Sequence, residues 1–304
     1  MKIVIAGGTG FIGKKLVKRL LDDGCSVVIL SRKLKPGEAE SDGKIQYAQW
    51  DASTVGDWAL HLQNAEAVIN LTGEPIAGKR WTDKQKEKIV QSRIAPTRAL
   101  VAAIEQSSPR PGLLLNASAV GYYGNVEKGE VDETYPPGTG FLADTCTRWE
   151  KEAMAAAGLG VRIVLIRIGV VLSTGGGALS KLLLPFKLWL GGHLGTGAQW
   201  MPWIHQDDLV SAIVFILNNP DLYGPFNCVS PESVTMREFA KILGSVIGRP
   251  SWMPVPSFAL RLLLGEMSEM LLTGQKAVPK KLLGNGFQFK FNRLDEAFVD
   301  LLKR

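Results

Sequence analysis

The stretch that most constrains this chain is its start, MKIVIAGGTGFIGKKLVKRLLDDG. Lys2 to Ala6 is a continuous apolar run rich in β-branching, the pattern of a parallel strand buried on both faces. Beyond it Ile12, Leu16, Leu20 and Leu21 recur at helical spacing, and Gly24 stands where a helix ends in a left-handed turn. Gly7, Gly10 and Gly13 therefore occupy a strand-to-helix turn. Residues without a β-carbon let backbone N–H groups approach a pyrophosphate, and the helix N-terminus adds partial positive charge. In an α/β chain this is the context of a dinucleotide cradle, with Gly7, Thr9, Gly10, Phe11, Ile12 and Gly13 as its candidate contacts. The competing reading is a tight turn that holds no ligand.

Further strands are expected in CSVVILSR, AEAVINLTG, PGLLLNASAV and VRIVLIRIGVVL, with helices over Asp83 to Glu105 and Leu142 to Ala157. Strands alternating with helices make a doubly wound parallel α/β sheet of Rossmann type. From Ser173 the chain turns rich in glycine and aromatic residues, then offers a helix at Leu209 to Leu217 and a short strand GPFNCVS. Helices are expected at Met236 to Ile247, Phe258 to Leu272 and Leu294 to Leu302, with a strand-like GFQFKF between the last two. The division that follows is a Rossmann domain at 1–172, completed by about 207–230, and a smaller, mostly helical C-terminal substrate-side lobe from 173–206 and 231–304.

An NAD-specific site places Asp or Glu about 20 residues beyond the glycine turn to bind ribose hydroxyls. Here Ser31, Arg32 and Lys33 follow the second strand. Two cations and a hydroxyl suit a 2′-phosphate, which a guanidinium grips bidentately, so NADP(H) is the expected cofactor. Otherwise Arg32 and Lys33 simply open the solvated loop LKPGEAESDG.

The net charge of +6 raises the question of nucleic acid, since Lys79 to Arg93 holds six basic residues against Asp83 and Glu87. No aromatic-interleaved stripe or helix-turn-helix spacing accompanies them, so a solvated helix face or an anionic cofactor is the preferred reading. Cys25, Cys146 and Cys228 are odd in number and far apart, which points to reduced thiols and to no metal site. No apolar run reaches bilayer-spanning length and the N-terminal one is too short for a signal sequence, so a cytoplasmic protein with no membrane partner is expected.

GGTGFIG, NLTG, SASAVGYYG and WIHQDD together resemble the extended short-chain dehydrogenase/reductase superfamily. NLTGEPIAGKRW, SRIAPTRAL, GGGAL and VPSFALRLLLGEM…GQKAVPKKLLGNGFQFKF resemble, more narrowly, its atypical epimerase family, labelled nucleoside-diphosphate-sugar epimerase-like. The resemblance covers essentially the whole chain. It implies chemistry in which Ser or Thr at the end of the fifth strand works with a Tyr and a Lys four residues later, as hydride passes to or from nicotinamide. Ser118 fits the first role, but Leu142 and Cys146 stand where Tyr and Lys belong. The resemblance also implies that Leu71, Thr72, Gly73, Glu74 and Arg80 face the cofactor, with Ser118 and Arg167 near the nicotinamide. It allows a homodimer through paired helices.

Tyr122 or Tyr123 can replace the missing phenol or simply pack, and Glu74 can be a ribose ligand, an acid/base or part of a surface turn beside Trp81. Trp200, Trp203 and His205 are candidates for substrate contact or for packing, while Asp207 or Asp208 is expected to cap the following helix. Two functions follow. One is an NADP(H)-dependent oxidoreductase or epimerase acting on a small metabolite such as a sugar nucleotide. The other is a non-catalytic NADPH-binding regulatory protein.

Overall fold

Alternate residues of the first strand, β1 (Lys2–Ala6), enter different cores, which is why its apolar run is unbroken. Ile3 and Ile5 join one apolar cluster, Val4 and Ala6 another on the opposite face of the sheet. The chain, seen in a computed structural model, is described over residues 1–34 and 43–303, so most of the expected loop LKPGEAESDG lies outside the described residues.

β1 pairs in parallel with β2 (Ser26–Ser31) on one side and β4 (Ala67–Asn70) on the other. β3 (Ile45–Gln49) flanks β2, while β5 (Leu113–Ala119), β7 (Arg162–Ile168) and β11 (Gly224–Cys228) continue beyond β4. The seven-stranded order β3-β2-β1-β4-β5-β7-β11 reverses direction between β1 and β4, and ligands of such sheets bind outside the carboxyl ends at that switch point. Leu16, Val17 and Leu20 of α1 (Phe11–Asp22) cover one face together with α5 (Gln206–Asn218). On the other face lie Ala99, Leu100, Ala103 and Ile104 of α2 (Asp83–Gln106) and Ala153 of α3 (Phe141–Met154).

The remaining strands are short and pair in twos: β6 (Val126–Val131) with β13 (Gln275–Ala277), β8 (Val170–Leu172) with β10 (Trp203–His205), and β9 (Trp200–Met201) with β12 (Val234–Thr235). A separate core joins Leu179, Leu183 and Phe186 of α4 (Ala178–Lys187) to Phe239 and Leu243 of α6 (Met236–Ile247) and Phe298 of the C-terminal helix Leu294–Leu302. The fold is thus a doubly wound parallel sheet with a smaller, mostly helical C-terminal region.

Three expectations are corrected. VRIVLIRIGVVL is two strands, because a Cβ on Gly169 would lie 2.7 Å from the carbonyl oxygen of Pro202, and the chain leaves the main sheet there to pair with β10. The helix expected over Phe258 to Leu272 breaks after α7 (Ser257–Leu264) at Gly265, whose φ of 61° is left-handed. GFQFKF forms no strand: Phe287, Phe289 and Phe291 are buried, but the N–H groups of Lys290 and Phe291 donate to the Asp208 carboxylate at 2.8 and 3.0 Å.

Candidate functional site

The glycine turn is held by contacts that exclude any side chain. A Cβ on Gly7, whose φ is 85°, would lie 2.8 Å from the Leu71 backbone carbonyl, and one on Gly13 would lie 2.2 Å from the oxygen of Gly7. The N–H of Gly10 donates to that same oxygen at 3.0 Å. Helix α1 follows with Gly10 as its N-cap and no side chain capping it, so its first-turn N–H groups face outward for an acceptor. Thr9, Gly10, Phe11, Lys14, Gly175 and Gln206 surround an open cleft of about 560 Å³. Ile12 follows Phe11 in the first turn. The Gly175–Gly177 loop closes against Phe11, since a Cβ on Gly176 would be 3.3 Å from its ring, and Gln206 Nε2 donates to the Phe11 carbonyl at 2.9 Å. Nothing in the strand-helix pattern marked that second glycine loop as a neighbour of the first.

At the end of β2 the hydroxyl of Ser31 donates to the carbonyl of Lys33 at 2.8 Å, so Ser31 shapes the turn. Arg32 is exposed, makes no hydrogen bond or ion pair among the described residues, and borders a cleft of about 490 Å³ with Trp50, Asp51 and Trp58. Asp51 leaves it free. Its carboxylate accepts from the Thr54 hydroxyl and from the N–H groups of Thr54 and Ser53, and these bonds hold it well below the usual carboxylate range.

The loop after β4 is fixed from below by a closed polar network. Asn70 Oδ1 accepts from the Thr72 hydroxyl at 2.6 Å and from its N–H, while Asn70 Nδ2 donates to Asn116 Oδ1 and to Thr97 Oγ1. Trp149 Nε1 also donates to Thr97 Oγ1, at 3.0 Å. Asparagines inside apolar strands were the available signal, and sequence reasoning passed over them. Arg93 was missed too: its Nη1 donates to the carbonyls of Ile89 and Glu74, and its guanidinium lies 3.1 Å from where a Cβ on Gly73 would sit. Burial lowers its pKa. Leu71, Thr72 and Gly73 thus line the switch point as backbone. Glu74 gives its N–H to Ser92 Oγ at 2.8 Å and pairs its carboxylate with Lys88 at 3.1 Å. Arg80 reaches the C-terminal region, its Nε 3.0 Å from a Cβ position on Gly265. Trp81 is buried edge-on against Phe141, with ring centroids 4.9 Å apart.

At the end of β5 the Ser118 hydroxyl donates to Glu150 Oε1 at 2.6 Å, and Arg167 grips the same carboxylate through Nε at 2.9 Å and Nη2 at 2.8 Å. Burial opposes the charge on Arg167, but the contacts with Glu150 outweigh it and hold the guanidinium above its ordinary pKa. Arg167 is only 3% exposed, and its remaining donor Nη1 serves Tyr123 Oη and the Glu133 carbonyl. Its guanidinium is thus engaged by protein partners among the described residues. The Tyr122 ring lies on that guanidinium, 3.6 Å from its centroid, and Tyr123 donates to Asn227 Oδ1 at 2.6 Å. Burial pushes the Tyr123 phenol up to about 12. Leu142 and Cys146 flank Gly121, with Cys146 Sγ 4.0 Å from its Cβ position, and burial raises that thiol to about 11. Where an activating amine is expected, the site holds a neutral thiol.

The substrate candidates divide. Trp200 is part-exposed, its Nε1 donating to the Glu127 carbonyl and Lys276 Nζ lying 5.3 Å over its ring. Trp203 is buried, bonded through Nε1 to the Glu232 carbonyl. His205 is a core residue, 1% exposed, and its Nδ1 accepts the Asp207 N–H as the N-cap of α5. The expected capping by Asp207 or Asp208 is corrected accordingly: Asp207 pairs with Lys15, and Asp208 holds the chain at Lys290 and Phe291.

Residues 3–228 match the NAD dependent epimerase/dehydratase family, and residues 255–301 match a domain of unknown function, DUF1731. Along its full length the chain is 42% identical to the epimerase family protein SDR39U1 homolog, chloroplastic, of Arabidopsis thaliana, covering 87% of it. It is 39% identical to the epimerase family protein YfhF of Bacillus subtilis, covering 98% of that protein and 99% of itself. The crystal structure of human epimerase family protein SDR39U1 (isoform 2) with NADPH matches at TM-score 0.90 and 34% identity, both chains fully covered. A nucleoside-diphosphate sugar epimerase of Corynebacterium glutamicum matches at TM-score 0.80 and 28% identity, over 99% of this chain and 58% of that one.

Proposed function

This chain belongs to the NAD dependent epimerase/dehydratase family, and from that premise we propose that it is an NADP(H)-binding oxidoreductase or epimerase acting on a small polar metabolite of the sugar-nucleotide class. The observation that carries the cofactor is the glycine turn, whose close backbone contacts and uncapped α1 fit a diphosphate. Arg32, free of protein partners among the described residues, fits the 2′-phosphate that separates NADPH from NADH. The human relative solved with NADPH supports the same choice.

Bound there, the nicotinamide supplies or withdraws a hydride. The Ser118 hydroxyl already donates its hydrogen bond to Glu150 Oε1, so toward a ligand it offers lone pairs and accepts a hydrogen bond from a substrate hydroxyl. A proton arriving at Ser118 Oγ passes its predecessor to Glu150 Oε1. The Arg167 grip keeps that carboxylate aimed at Ser118. Tyr122, stacked on Arg167, closes the site on that side.

Titration of the protein with NADPH and NADH tests the cofactor assignment: NADPH binds more tightly, and Arg32→Ala removes roughly tenfold to hundredfold of its affinity while leaving NADH unchanged. Equal affinities for the two coenzymes overturn it. A second reading, a non-catalytic NADPH-binding regulator, is favoured by one observation, the Leu142 and Cys146 side chains at Gly121. Single-turnover absorbance of bound NADPH against carbonyl metabolites separates the two: oxidation supports the enzyme, and persistent binding without oxidation supports the regulator.

A further inference from the structure

The outer face of the C-terminal region carries apolar side chains that no core absorbs. Residues 178–195, comprising α4 and the turn after it, run beside residues 249–264, which lead into and form α7. Trp252 Nε1 donates to the Trp189 carbonyl at 3.0 Å, the Arg249 guanidinium lies 4.3 Å from the Trp189 ring centroid, and Leu194 bridges to Val255. The inner side chains Leu179, Leu183 and Phe186 fill the core beneath. Leu184, Leu188 and Trp189 point the other way, as do Trp252, Phe258, Leu262 and Leu263, and all are between 55% and 77% exposed. Scattered exposed leucines are ordinary, but seven large apolar side chains on two adjoining segments mark an interaction site.

The charge on these segments has one sign. Lys181, Lys187, Arg249 and Arg261 lie within them, and neither segment contains Asp or Glu. The first acid beyond α7, Glu266, is paired with Lys86 at 2.9 Å. We propose that this face is a peripheral docking surface for an anionic lipid bilayer, on which the protein lies. Indole rings with a polar edge, exposed leucines and flanking cations are the chemistry of the headgroup boundary, where cations attract anionic lipid and apolar tips enter the acyl region. A twofold contact with a second copy would oppose like cations and is disfavoured. No helix among the described residues is long and apolar enough to cross a membrane, so attachment is interfacial, a partner beyond the sequence expectation of none. Because α4 starts at Gly177 against Phe11, docking brings the glycine cleft close to the bilayer surface. The inference does not depend on what that cleft binds.

Flotation of the full chain with phosphatidylcholine vesicles, with and without phosphatidylglycerol, tests it. The protein floats with the phosphatidylglycerol vesicles, less with neutral ones, and binding falls as salt rises. Leu262→Glu with Leu263→Glu lowers partitioning by roughly tenfold or more, and Arg261→Gln by about fivefold at low salt. NADPH affinity and Tm stay unchanged in these variants because the side chains face solvent. Should the double replacement unfold the chain, Arg261→Gln carries the test alone. Absence of flotation with either vesicle, or partitioning untouched by these changes, overturns the proposal. So does a dimer that the double replacement dissociates in the absence of lipid, which would assign the face to a second copy.

Discussion

Replacing Arg167 by Met tests whether the Ser118–Glu150–Arg167 cluster is the fixed floor of the site. The guanidinium makes two bonds to Glu150, one to Tyr123 and one to the Glu133 carbonyl, with side-chain exposures of 4% for Arg167 and 8% for Glu150. Removing it leaves a carboxylate in the protein interior with the Ser118 hydroxyl as its only remaining side-chain donor among the described residues. Breaking a buried pair from one side costs about 3–5 kcal/mol, a large part of the roughly 5–15 kcal/mol that keeps a domain folded. Replacing both partners by Met removes the stranded charge, so the double variant recovers at least about 2 kcal/mol relative to the sum of the two single changes. Urea unfolding of the four proteins followed by tryptophan fluorescence measures the cycle, with the Arg167→Met midpoint falling by roughly 1 M. NADPH affinity of the double variant stays near that of the parent, because the glycine turn and Arg32 touch neither residue. If each single change costs under about 1 kcal/mol and the effects add, the pair behaves as a surface ion pair and the argument for a fixed Ser118 fails.

Two further outcomes test the glycine turn and the His205 core. Gly13→Ala puts a methyl group 2.2 Å from the Gly7 carbonyl oxygen, so saturable NADPH binding is lost and stability falls by about 1–3 kcal/mol, read by fluorescence titration and thermal unfolding; unaltered affinity contradicts the cradle. Burial pushes His205 down to about 4, against the opposing pull of Asp207 and Asp300, so the unfolded chain takes up this proton first. Its contribution is complete above about pH 6.5 and is lost as pH falls toward 4, about 3 kcal/mol in all, and urea midpoints at neutral and acid pH show a shallower fall for His205→Gln. Parallel pH profiles for the two proteins contradict the assignment.

What the chain disclosed in its sequence was local pattern. β1, α1 and the glycine turn were legible because apolar periodicity and the glycines sit within a single 24-residue stretch, and α6 begins and ends at Met236 and Ile247 as its periodicity indicates. The helix after β4 was legible for the same reason, with Thr82 capping it through the Gln85 N–H. Side-chain assignments were not legible, because distant partners set them. Asp207 and Asp208 read as helix caps until Lys15 claims one and the backbone at Lys290 and Phe291 the other. Arg167 read as a cofactor contact, yet Ser118 is its neighbour in parallel register and Glu150 closes over both. Gly169 looked like one residue in a long strand, and only the crossing chain at Pro202 makes it a break.

These long-range partners also decide how the C-terminal region relates to the sheet. From Ser118 the polar contacts run through Glu150, Arg167 and Tyr123 to Asn227, whose Nδ2 donates to the carbonyls of Val131 and Val278. Glu133 accepts the N–H groups of Asn227 and Lys281, and Asp208 accepts those of Lys290 and Phe291. Burial raises the pKa of both carboxyls, so each depends on N–H groups from the region that matches the domain of unknown function. Leu282, Phe287 and Phe289 of that same region pack into the core beside α5, so its burial and its N–H donors come together. The C-terminal region is therefore part of the cooperative core that holds Ser118 in place, and changes at Lys281 or Phe291 should be felt at the cofactor edge of the sheet.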